Sequence, residues 1–531
     1  MNFNKLTEKQ IEYIKKVYYD KSNLSWEKKA SMLAEKFGTS ERTVRRWVSE
    51  RLGIKDRKDV ESEQYSEAKL RKINKSKKRF IITWGQNNTP VHKGFYKNIE
   101  AYAKHIDADI HIILGRYKNP TSLSEDSGED FWVEEVDKYK DANRHNVHKY
   151  LSILSDVKIQ PTATNPMSGM VGVSGVNSCI FGSPKVQLET IPVLENTKPK
   201  MMLTTGAVTM MNYTDSKSGK KGEFHHTFGF CVVEIKDNEV FFVRQVTADN
   251  KSGDFSDLYY RVENGKISNL KTISAIILGD IHYGHHDQKV INSTLKMLDR
   301  IKPDHVVLHD VFDGSSISHH EMNDPFIQYS KELTGRNDLG SEINHMLDGL
   351  KSFEKFKNVV VVRSNHDDFL DRWLKNQDWK KQPTLRNSRL YMKFSDILLE
   401  QYEKNPSKVV GVIPALIKQK YPKFKTLGRS DTYKVKGFEL SQHGDLGASG
   451  SRGSLQQFRR LNTKIVVGHY HSPGRKDGAL AVGTSTKLRV GYNNGPSAWL
   501  QSHVIIHDSG KAQHILFTDD KSGNAQFTTF R

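Results

Sequence analysis

Cysteine is almost missing from this chain: Cys179 and Cys231 are the two among 531 residues. That excludes a disulfide framework and a cysteine-rich zinc site. No run of about 20 apolar residues occurs, so no membrane span is expected. The opening MNFNKLTEKQIEYIKK has neither the apolar stretch nor the small-residue cleavage site of a secretory signal, and a cytoplasmic location is expected. What is present suits a folded protein: 36% hydrophobic and 27% charged residues. At roughly 100–200 residues per domain the length leaves room for about three domains.

Positive charge dominates. The formal net charge is +19, and residues 1–80 carry 22 Lys and Arg against 12 Asp and Glu. Concentrated positive charge attracts a polyanion and releases counterions on binding, so nucleic acid is the expected partner. The plainer alternative is a basic tether, because RKINKSKKR (71–79) would raise solubility without contacting anything.

Residues 7–19 read as a helix, with Thr7 and Gln10 as a capping box and Leu6 and Ile11 as a hydrophobic staple. A second helix follows Ser25, carries Trp26, Ala30, Leu33 and Ala34, and stops near Phe37-Gly38. Thr39-Ser40 opens a third, ERTVRRWVSERL (41–52), with Val44, Trp47 and Val48 on its apolar face. The stretch AEKFGTSERTVRRWV resembles a helix-turn-helix, which would turn Arg42, Thr43, Arg45 and Arg46 toward DNA. Three short helices with a basic face serve equally for protein docking or self-association. We expect a helix-turn-helix-like helical domain over 1–54, a basic linker over 55–78 and a mixed α/β domain over 79–270. In the last, FIITW (80–84), GFYKNIEAYAKHI (94–106) and ADIHIILG (108–115) form a βαβ unit, followed by mixed β material. Self-association through this middle domain is also open. Lys93, Arg116 and Lys118 are weak candidates for phosphate contacts. His225-His226, without further ligands at useful spacing, reads as a solvated or packing pair.

From residue 274 the pattern sharpens. SAIILGDIHYG (274–284) is an apolar strand ending in Asp280 and His282. HVVLHDVFDG (305–314) ends in Asp310, and NVVVVRSNHDD (358–368) in Asn365 and His366. FELSQHGD (438–445) ends in His443, and TKIVVGHYHSPG (463–474) in His469 and His471. Ligands in open α/β structures gather beyond the carboxyl ends of strands, so these five ends are expected to converge. Carboxylate oxygen and imidazole nitrogen suit Mn²⁺, Fe or Zn²⁺ more than Ca²⁺, and seven ligands suffice for two ions. Taken singly, each histidine is as well explained by core packing and each aspartate by helix capping.

The ordered series D-x-H, a strand-end Asp, N-H-D, an isolated His and G-H-x-H resembles the signature of the calcineurin-like metallophosphoesterase family. The resemblance covers roughly 273–515. It implies an α/β fold over 271–531, a β-sandwich flanked by helices, and two divalent ions, Mn²⁺ first, with Mg²⁺, Fe or Zn²⁺ as alternatives. It further implies that Asp280, His282, Asp310 and His471 hold one ion, that Asp310 bridges to the second, and that Asn365, His443 and His469 complete it. His366 resembles the histidine that meets the phosphate and protonates the leaving group, with Asp367 orienting it. Asp313 matches a supporting carboxylate. His320, Glu321 and Asp324 fall in an insert and are weaker. The chain departs from the family pattern at His309 and Ser364, where glycine is usual, and His309 is a candidate substrate contact.

The resemblance implies hydrolysis by a hydroxide that two metal ions activate. For substrate, the basic N-terminal module, the net charge and HGDLGASGSRGSLQQFRRL (443–461), with Arg452, Arg459 and Arg460 on an expected helix, point to DNA. The stretch TWGQNNTPVHKGFYKNIEAYAKHIDADIHIILGRYKNPTS (83–122), with the long domain before the esterase motifs, also resembles early proteins of tailed bacteriophages that carry a DNase-type phosphoesterase of the nuclease branch. That resemblance implies breakdown of host DNA in the host cytoplasm. Two rivals stand: a phosphatase docked through its basic module, and a non-catalytic DNA-binding protein. The inserts near 314–340 and 369–436 carry no readable pattern and are expected to shape the substrate channel.

Overall fold

The computed structural model describes residues 3, 6–19, 26–53, 73–74, 76–117, 131–382, 384–491, 493–519 and 524–530. The Trp26 side chain, most of the 55–78 segment and Lys118 lie outside them. The chain divides into two compact units, Met1–Lys72 and Ile73–Arg531. Among the described residues no helix is long and apolar enough to cross a membrane.

The described residues of the first unit are helical. Helices Glu8–Tyr19 and Trp26–Lys36 are followed by Glu41–Arg46, which runs on as a wider turn over Trp47–Arg51. Thr7 N donates to Gln10 Oε1 at 2.8 Å and Gln10 N to Thr7 Oγ1 at 3.4 Å, the reciprocal bonds of a capping box. Ser40 caps the third helix through Thr43 N. Gly38, at φ +57°, turns the chain between the second and third helices. Ile14, Ala30, Leu33, Val44, Trp47 and Val48 close one small core, while Arg42, Arg45 and Arg46 stay exposed.

The second unit is built on three large sheets. One has six strands in the order Lys425–Leu427, Val359–Val362, His305–Leu308, Ala275–Ile277, Ser502–Ile506 and Ala512–Leu516. The first four run parallel and the last two antiparallel. Their short β-branched and aliphatic runs are buried on both faces, as a covered parallel sheet requires. Ala275, Ile277, Val307, Val360 and Val362 pack against Phe438, Leu440, Val466 and Leu480 of a second sheet. Ile276, Leu278, Val306, Leu308 and Val361 face the opposite way, onto helices that include Gln288–Ile301, Leu339–Leu350 and Val412–Lys420. A sandwich with helices on its outer face results.

The second sheet has ten strands and crosses the boundary expected at 270. Its order is Lys434–Val435, Phe438–Glu439, Lys464–Val467, Ala479–Ala481, Gly474–Lys476, Gln187–Ile191, Lys200–Thr204, Ser178–Phe181, Leu151–Leu154 and Arg144–His148. The join is the antiparallel pairing of Arg475 with Leu188 and of Lys476 with Gln187. A third sheet, Phe241–Thr247, Gly229–Ile235, Arg79–Gln86, Ala108–Gly115 and Lys140–Asp141, packs on the far half of the ten-stranded one. The stretches on either side of residue 270 therefore share a sheet and belong to one compact unit.

The segment 369–436 is not irregular. It forms helices Leu385–Lys404 and Val412–Lys420, together with most of Asp367–Asn376, and contributes Leu370, Trp373, Phe394 and Leu398 to the main core. Its pattern is hard to read because the helix Leu385–Lys404 carries Leu385, Met392 and Leu399 on exposed surface. The helix expected to carry Arg452, Arg459 and Arg460 is one turn, Leu455–Phe458, and includes none of them.

Candidate metal centre

The parallel registers bring the carboxyl ends of Ala275–Ile277, His305–Leu308 and Val359–Val362 to one edge. Pairing then continues past the strands. Ile281 N donates to His309 O, His282 N to Asp310 O at 2.7 Å, and Tyr283 N to Val311 O. This ladder sets His282 against Asp310. Across the sandwich, Phe438–Glu439 and Lys464–Val467 also run parallel and deliver His443, His469 and His471.

Four of these residues hold left-handed backbone: His282 at φ +45°, Asp310 at +46°, His469 at +74° and His471 at +54°. Such conformations are uncommon outside glycine and cost on the order of 1–3 kcal/mol each, so surrounding structure must impose them. Gly468 shows how tight the imposition is. A Cβ there would lie 2.4 Å from Asp280 Oδ1 and 3.0 Å from His309 Cγ.

Asp280, His282, Asp310 and His471 are all buried, and one ligand atom from each lies within 4.8 Å of the others. His471 Nε2 is 3.1 Å from Asp280 Oδ2, and His282 Nε2 is 3.0 Å from His471 Nε2. His282 Nε2 and His443 Nε2 stand 3.3 and 3.0 Å from Asp310 Oδ2, yet off the line a hydrogen bond needs. Neither oxygen of Asp310 has a hydrogen-bond partner, nor do Asp280 Oδ1, Asn365 Oδ1 and His443 Nε2. Buried carboxylate oxygens left unpaired are costly, and a divalent cation satisfies them. The donor set of imidazole nitrogen and carboxylate oxygen fits a transition metal. These side chains could therefore hold metal.

The electrostatics agree. Burial opposes charge on His282, but Asp310 and Asp313 outweigh it and raise its pKa well above the usual value. Burial likewise opposes charge on His443, and Asp310 and Asp280 carry it up to about 9. The carboxylates thus create a field that holds positive charge. His469, pushed down to about 4 by burial and by His443, stays neutral and available as a donor.

Asp313 supports the centre from behind: its Oδ1 is 3.1 Å from His282 Nδ1, the nitrogen turned away from Asp310. A carboxylate on the outer nitrogen fixes ring orientation and tautomer. His366 Nδ1 donates to the backbone carbonyl of Asp313 at 2.5 Å, and its ring lies 4.6 Å from that of His282. That carbonyl, and not Asp367, orients His366. Asp367 Oδ2 accepts from Ser364 N at 2.9 Å, and Asp367 N donates to Ser364 Oγ at 3.2 Å, so the pair closes the turn into Asp367–Asn376. Oδ2 thus goes to backbone where the sequence motif had assigned the carboxylate to the imidazole, and Oδ1 is buried with no hydrogen-bond partner.

No protein-family model matches the chain, and no solved structure does. Protein A1 of Escherichia phage T5 is 30% identical over 462 residues, which cover 84% of the chain and 83% of Protein A1. The chain belongs to the Protein A1 family. A phage origin fits this membership.

Within this Protein A1 family chain, the seven expected ligands all lie at the facing strand ends. Asp280, His282, Asp310 and His471 form one group, and His443 joins Asp280 in a second. His469 meets Asp280 through its backbone N–H at 2.7 Å, and its ring centroid is 5.3 Å from that of His443. The third member of the second group is His309. It is fully buried, its Nε2 has no hydrogen-bond partner, and burial with His443 pushes it down to about 4. Buried there, it lies among the candidate ligands and has no exposed surface to offer a substrate. His503 was not legible at all. It accepts from Gly279 N at 3.0 Å, contacts Thr294 Oγ1 at 2.7 Å, and so braces the strand that carries Asp280.

The basic candidates divide. Arg452 and Arg460 are exposed. Arg459 is committed, with Nε 2.5 Å from Asp477 Oδ2 and Nη1 3.2 Å from Asn165 Oδ1. Lys93 is exposed on the middle region. His226 is buried between Tyr213 and Thr209, a packing role, and His225 pairs with Asp477 at 3.3 Å. Asp324 caps helix Pro325–Leu333, Glu321 binds Lys331, and His320 stacks on His319 at the surface.

Proposed function

We propose that the chain is a dinuclear metallophosphoesterase with the calcineurin-like sandwich fold, and that it cleaves phosphodiester bonds in DNA. One observation carries the reading: Asp310, buried and unpaired at both oxygens, stands between His282 and His443 where five strand ends meet. A carboxylate so placed serves two cations at once.

On this reading Asp280, His282, Asp310 and His471 hold one ion, and Asp310, Asn365, His443 and His469 the other. When bound, two divalent ions supply charge neutralisation for the phosphate and an activated water. His366 is held by the Asp313 carbonyl through Nδ1, which leaves Nε2 to meet the phosphate. Burial lowers its pKa, with Asp310 opposing. An arriving phosphate adds negative charge and favours the proton that the leaving oxygen takes.

DNA as the substrate rests on charge. The net charge is +19, and Arg42, Arg45 and Arg46 are exposed on a helical unit with a helix-turn-helix-like order of elements. In a phage setting the activity would break down host DNA in the host cytoplasm.

The test is incubation with end-labelled linear and closed circular DNA, with Mn²⁺, Mg²⁺ or chelator, beside Asp310→Ala. Cleavage that needs both metal and Asp310 supports the proposal, and the linear-to-circular ratio separates exonuclease from endonuclease action. Intact DNA alongside metal-dependent hydrolysis of a small phosphate monoester makes the chain a phosphatase instead.

A further inference from the structure

A second group of potential ligands lies in the other half of the unit, and none of its residues belongs to the centre above. Asp109 and His111 stand two apart on strand Ala108–Gly115, so they share a face. Parallel pairing sets Asp141 opposite Ile113, which lies two residues beyond His111, and so brings Asp141 to that same face. Four residues later His145 lies on Arg144–His148, the edge strand of the ten-stranded sheet, whereas Lys140–Asp141 is the edge of the five-stranded one.

The three side chains converge. His111 Nδ1 is 2.9 Å from Asp141 Oδ2, His145 Nε2 is 2.8 Å from Asp141 Oδ1, and the three ligand atoms fall within 4.8 Å of one another. Donors held about 2.0–2.2 Å from one tetrahedral zinc lie roughly 3–4 Å apart, a small adjustment from these positions. His111 and Asp141 are fully buried, and the His145 side chain is 10% exposed. Asn143 N donates to Asp141 Oδ1 at 3.0 Å and steadies the carboxylate.

The far nitrogen of His111 is the second observation. His111 Nε2 is buried and has no hydrogen-bond partner, although Asp109 Oδ2 stands 3.3 Å away, out of line. A metal-binding imidazole commonly presents its other nitrogen to a carboxylate, and Asp109 occupies that position. In the absence of a cation the alternative is an ion-pair cluster, with both rings donating to Asp141.

We propose that His111, Asp141 and His145 form a divalent transition-metal site, zinc by its donor set, that ties the edges of the two sheets together. Asp109 positions His111 from behind, and His145 is on the side that reaches solvent, where water would be the fourth ligand. The site is structural and stands whether or not the chain is a phosphoesterase.

The test is zinc stoichiometry on the full chain. An Asp280→Asn/Asp310→Asn/His443→Gln/His471→Gln variant removes ligands of both proposed ions of the candidate centre, and its zinc content is read by elemental analysis after equilibrium dialysis. One equivalent per chain is expected to remain, and adding His145→Gln should weaken that binding at least tenfold and abolish the zinc-dependent rise in Tm. Circular dichroism melts verify folding. If the multiple variant does not fold, the same difference is read between the unaltered chain and His145→Gln alone. No retained zinc, or an equivalent indifferent to His145→Gln, overturns the proposal and leaves a buried ion-pair cluster.

Discussion

His282 Nε2 and His471 Nε2 lie 3.0 Å apart in a buried space, and both residues hold left-handed backbone, at φ +45° and +54°. Two imidazole nitrogens so close cannot both keep a proton on the facing side. A shared cation removes the conflict, and the strained backbones are the means by which two separate loops hold the rings there.

Asp313→Asn tests the support behind His282. The substitution keeps the shape but removes the charge 3.1 Å from His282 Nδ1. Affinity for Mn²⁺, measured by calorimetry, is expected to fall about 10–100-fold. An unchanged affinity would mean that the carboxylate does not act through the ring.

His366→Gln separates chemistry from metal binding. His366 lies beside His282 and outside the ligand set. The expected result is full metal content with kcat reduced by about 10²–10⁴, the range for a lost general acid. Loss of metal in this variant would place His366 among the ligands.

Gly468→Ala reports on packing at the centre. Its Cβ would overlap Asp280 Oδ1 at 2.4 Å. Overpacking should cost about 1–3 kcal/mol in urea unfolding, with weakened metal binding as well. A variant with wild-type stability and affinity would show that the Gly468 loop has room to move.

Acid should destabilise the fold through buried neutral histidines. Burial pushes His226 down to about 4, while its Nε2 donates to Thr209 O and its Nδ1 accepts from the Tyr213 hydroxyl. The unfolded chain takes up this proton near the ordinary value of about 6.5. Stability is therefore intact above that value and is lost as pH falls toward 4, by on the order of 2 kcal/mol per such histidine at pH 5. His503, His507 and His514 are lowered in the same way. The drop in urea midpoint between pH 7 and pH 5 should be smaller in His226→Gln, and an equal drop would remove His226 from this account.

Much of the candidate centre was legible because its residues sit in short motifs. Asp280 and His282, or His469 and His471, are two apart and follow an apolar run, so local order alone marks them. His309 was marked as a substrate contact, and its place in the second group comes from what packs against it. His503 had no mark, because it lies inside a strand and its role depends on Gly279 and Thr294. Asp367 shows the converse. Its motif suggested a partner for His366, but Ser364 N donates to its Oδ2 and His366 Nδ1 goes to the Asp313 carbonyl.

By itself, the sequence determined the helices of the first unit, the strand ends that carry the candidate ligands and the basic charge balance. These depend on periodicity, capping and adjacency over a few residues. Tertiary structure alone decided that the stretches before and after residue 270 share a ten-stranded sheet, through Arg475 paired with Leu188. It alone set His111, Asp141 and His145 around one point. Pairing between distant edge strands depends on which faces are buried together, and that is a property of the packed chain and not of any local stretch.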